Sequence, residues 1–269
     1  MKETITVACG QFSPKFGETD HNIGRMIRLI EDTEADLMVF PELITCGYEF
    51  RDRNELFESA LDPEKGQEFQ RLKEISETKN IHIALGFPER SGDKVYNSAA
   101  LIEPSGKVSI YRKLHLFDRE KTIFDAGDKP PTLIETEIGK FGLMICFDWI
   151  FPEMARLLAL NGAQIILHPS NLVLQYCQRA MFARSVENGV FSITCNRIGS
   201  ESRTDRTMTF TGASQILGTR GELLAQATTD SEEIITAEIK PSLADDKMLT
   251  VHNHIHNDRR TEFFGKLIQ

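Results

Sequence analysis

Apolar and polar positions along this chain of 269 residues fall into two recurring kinds of block. The first is a short, almost continuous apolar run, the pattern of a strand covered on both faces. Residues 5–12 (ITVACGQF), 36–43 (DLMVFPEL), 81–87, 141–147, 164–168 and 190–196 read this way. The second is a longer segment whose apolar residues return every three or four positions, the pattern of a helix with one buried face. Residues 21–33 place Ile23, Met26, Ile27 and Ile30 on one side, and residues 67–79 do the same with Phe69, Leu72 and Ile75. Residues 152–161 open on Pro152 and close at Gly162, as helices commonly do. Residues 54–60 and 175–187 complete the helical set, with a helical turn expected inside the loop 115–128. Strands over 96–103 and 108–111 flank Pro104-Ser105-Gly106 as a hairpin. Further strands are expected over 133–136, 210–217, 222–226 and 234–239, before a mixed polar tail from Pro241.

Strand and helix thus alternate twice, and each half also carries a hairpin. With no linker, repeat or low-complexity stretch, the chain reads as one α/β domain over 1–269, helices outside and sheets inside. The net charge of -9 and a pI near 5.4 argue against a nucleic-acid binder. Cysteines at 9, 46, 146, 177 and 195 are odd in number and form no CxxC pair, so a disulfide framework is not expected. A reducing, cytoplasmic setting fits them better. The opening has no charged-then-apolar leader, and no apolar run reaches membrane-spanning length.

Three strand ends carry candidate chemistry. Cys146 lies where the run FGLMICF hands over to the helix opened by Pro152, a place that presents a side chain near free backbone N–H groups. Glu42 ends the run VFPEL, and Lys113 lies in YRKLHLF. Singly, these also read as a core thiol, a surface carboxylate and a solvated ammonium. Together they are the groups that acyl transfer from nitrogen to sulfur requires: a nucleophile, a base that becomes an acid, and a fixed cation for the oxyanion.

The blocks VFPEL, YRKLHLF and CFDWIFPE resemble, in order and separation, the three signature regions of the nitrilase superfamily of carbon–nitrogen hydrolases. The resemblance extends through YNSA, ARSVEN, NRIG, FTGAS and DRRTEFF. It implies a four-layer α-β-β-α sandwich. It implies Glu42 as general base and later acid, Cys146 as nucleophile, and Lys113 with the Phe147 backbone N–H as oxyanion donors. Glu120, in HLFDREKTIF, matches a second acidic position that orients the lysine and the substrate. The resemblance further implies no metal and no organic cofactor, a small-molecule amide or nitrile as substrate, and pairing into a homodimer or larger homo-oligomer.

Amide hydrolysis through a thioester is the first reading of the substrate class. A short aliphatic nitrile and an N-carbamoyl amine are the alternatives, because CFDWIFPE lacks the Trp-Glu pair that more often follows the cysteine of true nitrilases. A catalytically silent binding protein, or a metal-dependent phosphoesterase built on Asp148, His168 and Asn171, are readings of another kind. Tyr48, Phe147, Trp149 and Asn171 are candidate pocket walls. Asp148 and Glu153 are expected to pair with Arg156 or Arg184 and brace the cysteine loop. His115, Cys46 and Cys177 read as structural, and the alternating His252, His254 and His256 read as tail residues rather than a metal site.

Overall fold

A computed structural model describes residues 2–268. Its elements in chain order begin with β1 (Ile5–Gln11), α1 (Thr19–Glu31), β2 (Leu37–Val39), α2 (Arg53–Glu58), α3 (Gln67–Lys79), β3 (His82–Ser91), β4 (Lys94–Ile102), β5 (Val108–Arg112) and α4 (Glu120–Ile123). The second half holds β6 (Ile134–Thr136), β7 (Gly139–Leu143), α5 (Pro152–Leu160), β8 (Ile165–Pro169), α6 (Cys177–Asn188) and β9 (Phe191–Cys195). Then come β10 (Ser200–Glu201), β11 (Met208–Thr209), β12 (Gln215–Leu217), β13 (Leu223–Gln226) and β14 (Glu233–Ile239).

Two six-stranded sheets result, ordered β14-β1-β2-β3-β4-β5 and β13-β12-β9-β8-β7-β6. The middle of each is parallel: β1, β2 and β3 in one, β7, β8 and β9 in the other. Alternation along β1 shows why the apolar runs are continuous. Val7 and Cys9 join the core shared with the second sheet, while Ala8 between them packs with the outer helices. Helix α1 buries Ile23, Met26 and Ile30, and α3 buries Phe69 and Leu72, in the same cluster as Met38, Phe40, Ile83 and Leu85 of the first sheet. On the other side, Leu158 of α5 lies so close to β7 that a Cβ on Gly142 would meet it at 2.8 Å. The layers run helix, sheet, sheet, helix, the four-layer α-β-β-α sandwich.

The departures from the sequence reading sit where the backbone leaves the extended region. The run 141–147 stops being a strand at Leu143, because Cys146 takes φ 39° and starts a 3₁₀ turn, Cys146–Ile150. The run 36–43 stops at Val39, ahead of Pro41 and of Leu43 at φ 47°. The expected strand 210–217 is broken, since Gly212 and Ala213 are left-handed at φ 55° and 52°. Beyond Pro241 the tail forms a 3₁₀ turn and a small hairpin, and carries exposed Leu249, Val251 and Phe263. All five cysteines are free and buried. Among the described residues no helix is long and apolar enough to cross a membrane.

Candidate active site

Glu42 follows β2 on a turn that the neighbouring strand holds closely. The Phe40 N–H donates to the Ala84 carbonyl at 2.8 Å, and the Gly86 N–H donates to the Pro41 carbonyl at 3.0 Å. A Cβ on Gly86 would lie 2.4 Å from the Glu42 Cα, so the approach requires glycine. Lys113 follows β5. Its N–H donates to the Asn97 carbonyl at 2.8 Å and its carbonyl accepts from Gly127 at 2.9 Å. A Cβ on Gly127 would stand 2.3 Å from the Arg112 carbonyl oxygen. Glu120 opens α4, and its N–H donates to the Phe117 carbonyl at 2.9 Å.

These three side chains form one fully buried network. Lys113 Nζ lies 2.7 Å from Glu42 Oε1 and 2.9 and 2.8 Å from the two oxygens of Glu120. Asn97 Nδ2 donates to the same Glu42 oxygen at 2.7 Å. Glu120 also accepts from the Tyr48 hydroxyl at 2.7 Å and from the Phe117 N–H at 3.0 Å. Tyr48 is therefore held against Glu120, and it is not among the residues lining the cavity that touches Cys146. The backbone N–H groups of Tyr48 and Glu49 donate to Glu201, at 3.0 and 2.7 Å on Oε2, and Glu201 is paired with the buried Arg197. The second oxygen of Glu42 is buried and has no hydrogen-bond partner.

Cys146 is buried, at 6 % exposure, on a left-handed backbone. Its carbonyl accepts from His168 Nε2 at 2.9 Å. Burial pushes His168 down to about 4, so at neutral pH the ring carries its proton on Nε2 and its Nδ1 faces the Thr194 hydroxyl at 3.1 Å. Asp148 pins the same turn. Its two oxygens accept from the Tyr111 hydroxyl at 2.8 Å, the Ile145 N–H at 2.9 Å and the His115 ring at 2.8 Å. The expected pairing of Asp148 with Arg156 or Arg184 is replaced by this set, because Asp148 faces inward, toward β5 and the loop after it. Arg184 instead donates to the Trp149 carbonyl and pairs with Glu187. His115 is structural, stacked on Phe151 with ring centroids 3.8 Å apart.

A cavity of about 10 Å³ touches Cys146 and is lined by Asn171, Phe117, Phe147, Trp149 and Leu172 among others. Both polar side-chain atoms of Asn171 are buried there without a partner. Phe147 lies in the first turn after Cys146, where N–H groups have no acceptor within the helix.

Burial pushes the Cys146 thiol well above its ordinary range, and the carboxylates of Glu42 and Glu120 add to this; the Lys113 ammonium and the Asn171 backbone N–H work against it. Burial also raises Glu42 above 4.5, with Lys113 opposing. Burial alone would lower Lys113, but Glu120 and Glu42 outweigh it and keep the ammonium charged. The resting site thus holds a neutral thiol beside a carboxyl of increased basicity and a fixed cation.

Sequence reasoning missed Asn97, His168 as a carbonyl anchor, the Arg197–Glu201 pair, Gly86 and Gly127. Asn97 and Arg197 lie in the YNSA and NRIG segments that carried the family resemblance, so those segments held the signal.

A two-sheet sandwich thus holds a buried Glu-Lys-Glu network and a thiol on a left-handed turn, and the whole sequence gives the class of protein. Residues 6–247 match the carbon-nitrogen hydrolase family, and the chain belongs to it, within the nitrilase superfamily. It is 40 % identical to a nitrilase of Pyrococcus abyssi, over 97 % of this chain and 99 % of that protein. It is 31 % identical to an (R)-stereoselective amidase of a Pseudomonas species, over 82 % and 80 % of the two chains. A carbon-nitrogen hydrolase from Helicobacter pylori superposes with a TM-score of 0.83 at 27 % identity, covering 99 % of each chain.

Proposed function

We propose that this carbon–nitrogen hydrolase cleaves short, uncharged, linear amides by a Glu42-Lys113-Cys146 mechanism. The observation that carries the amide reading is the set of unpaired polar atoms at the site. Glu42 Oε2 and both the oxygen and the NH₂ group of the Asn171 side chain are buried without partners. A primary amide brings both an NH₂ group and a carbonyl oxygen and so suits the acceptors and the donor together, whereas a nitrile nitrogen offers only a lone pair and leaves the acceptors empty, at a cost of about 1–3 kcal/mol each.

Cys146 Sγ attacks the amide carbon while its proton passes to Glu42. Lys113 and the Phe147 N–H stabilise the oxyanion. Glu42 returns the proton to nitrogen, the C–N bond breaks, and ammonia leaves a thioester on Cys146. Water then attacks the thioester, giving a proton to Glu42. The C–S bond breaks to release the acid, and the thiol regains its proton. Glu120 orients Lys113 and is braced by Tyr48. Asn171 and Trp149 help form the narrow wall that limits substrate size. No cofactor enters these steps.

Nitrile hydrolysis is the second reading, favoured by the 40 % identity to a protein named nitrilase. Ammonia release from matched amide and nitrile pairs tests the choice. The amide of each pair is expected to have the higher kcat/KM, and Asn171→Leu to lower the amide value about tenfold or more while leaving the nitrile nearly unchanged. A nitrile preferred by more than about a hundredfold, some 2.7 kcal/mol in transition-state binding, overturns the amide reading and leaves the cysteine mechanism standing.

The partner proposed for the assembly is a second copy of the chain. Leu157 and Leu160 of α5, Phe182 of α6 and Leu223 of β13 are exposed apolar side chains on elements of the second half of the chain, and apolar surface of this kind favours association. A cytoplasmic location agrees with five free, buried thiols.

A further inference from the structure

We propose that His82, Glu103 and Glu137 form a zinc site that ties the two sheets together at the end of the sandwich remote from Cys146. His82 is the first residue of β3, and Glu103 follows the last residue of β4. The β3–β4 register pairs Ile83 with Ile102, so one further step sets His82 opposite Glu103. Glu137 comes from the second sheet, in the turn between β6 and β7. Strand β7 runs from that turn toward Cys146, so the cluster and the thiol occupy opposite ends of one strand.

One nitrogen of His82 and one oxygen from each glutamate lie within 4.8 Å of one another. His82 is 1 % exposed, and its Nε2, aimed at Glu137, has no hydrogen-bond partner. Glu103 is also buried, at 7 % exposure, and the surface residue Lys107 is the cation paired with its Oε1. A buried ring nitrogen without a hydrogen-bond partner requires an explanation. The Nε2 to Glu137 Oε1 separation is 3.4 Å. Tetrahedral zinc with bonds of about 2.0–2.1 Å sets its ligand atoms roughly 3.3–3.4 Å apart. The ring thus stands from Glu137 at the spacing that a shared ion imposes.

The charge balance points the same way. The carboxylates of Glu103, Glu137 and Asp36 all act on the ring. Lys2 lies 2.6 Å from Asp36, and Lys107 lies 2.8 Å from Glu103 Oε1. Lys107 is a surface side chain, free to turn into solvent when a dication takes its place. One imidazole with two carboxylates suits Zn²⁺ and its first-row neighbours, whereas Mg²⁺ and Ca²⁺ prefer oxygen alone. The sequence reading assigned no metal, and it found no spacing motif here because residues 82, 103 and 137 come from three segments far apart in the chain. An ion bound by both sheets contributes stability by favouring the folded chain alone.

The test is a Zn²⁺ titration of the full chain carrying Cys146→Ala, which removes the active-site thiol as a competing ligand. One equivalent is expected to bind by calorimetry and to raise Tm. Adding Glu137→Gln is expected to weaken binding at least about tenfold and to abolish the rise in Tm. Glu137 is exposed, so this variant keeps the fold even where His82→Asn does not. No uptake by Cys146→Ala, or uptake unchanged by Glu137→Gln, overturns the proposal.

Discussion

Two buried carboxylates flank Cys146, and they are filled differently. Asp148 has donors on both oxygens, from Tyr111, Ile145 and His115. Glu42 has two donors on one oxygen and none on the other. Both side chains are fully buried. A carboxylate whose oxygens are both occupied by donors holds the backbone around it in place. A half-filled one keeps a lone pair for a transferable proton. In the mechanism proposed above, the same functional group serves as anchor on one side of the thiol and as base on the other, and the donor count separates the two.

Substitution of each carboxylate by its amide is the most direct way to break this comparison. Glu42→Gln is expected to lower kcat by about a thousandfold, within the usual range for a lost acid–base group, while the urea midpoint changes little. Asp148→Asn is expected to lose about 2–3 kcal/mol of stability, because an amide presents an N–H₂ group to donors that need an acceptor. The comparison fails if Glu42→Gln is the variant that unfolds more easily.

Lys113→Ala tests the cation shared by Glu42 and Glu120. It leaves Glu42 and Glu120 buried without their shared ammonium, and a loss of about 3–5 kcal/mol in denaturant unfolding is expected. Stability within about 1 kcal/mol of the parent would mean that the network does not need its cation.

The pH response sharpens the comparison further. His168 titrates near 4 when folded and near 6.5 when free, so the unfolded chain binds more protons between those values. Stability therefore falls as pH drops from about 6.5 to 4, by up to about 3 kcal/mol, and is flat above. His168→Gln is expected to flatten that slope. Because Glu42 is raised above 4.5, the acid limb of kcat/KM is expected above pH 4.5, and a limb below it would remove Glu42 from the role of base.

The smallest effect concerns the brace. Tyr48→Phe removes one donor from Glu120 and leaves Lys113 and the Phe117 N–H in place. A kcat about tenfold lower with KM unchanged is expected, the scale of one hydrogen bond to a charged group. An unchanged kcat would make Tyr48 a packing residue.

Much of the architecture was legible because burial repeats with a fixed period. The helix over residues 67–79 matches α3, and the apolar runs of the first sheet became strands since both of their faces are covered. Element ends were less legible where a non-glycine residue adopts a left-handed backbone, as at Leu43, Cys146 and Ala213, since nothing in those side chains announces it. Glu42, Lys113, Glu120 and Cys146 were found as strand-end and loop residues within recognisable blocks. Their supports were not, because Asn97, Arg197 and Glu201 reach the site from strands and loops distant in sequence, and a buried polar side chain looks like a surface one until its partners are seen.

Gly86 has a consequence for judging related chains. Its missing side chain is what admits the Glu42 backbone. A relative that keeps the glutamate, the lysine and the cysteine but carries alanine at this place would look intact by its chemistry. The glutamate proposed as base would nonetheless be pushed out of place, enough to misalign a proton transfer that works only over hydrogen-bond distance. Sorting working enzymes from inert copies in such a family therefore calls for inspecting a residue that never touches substrate and has no functional group at all.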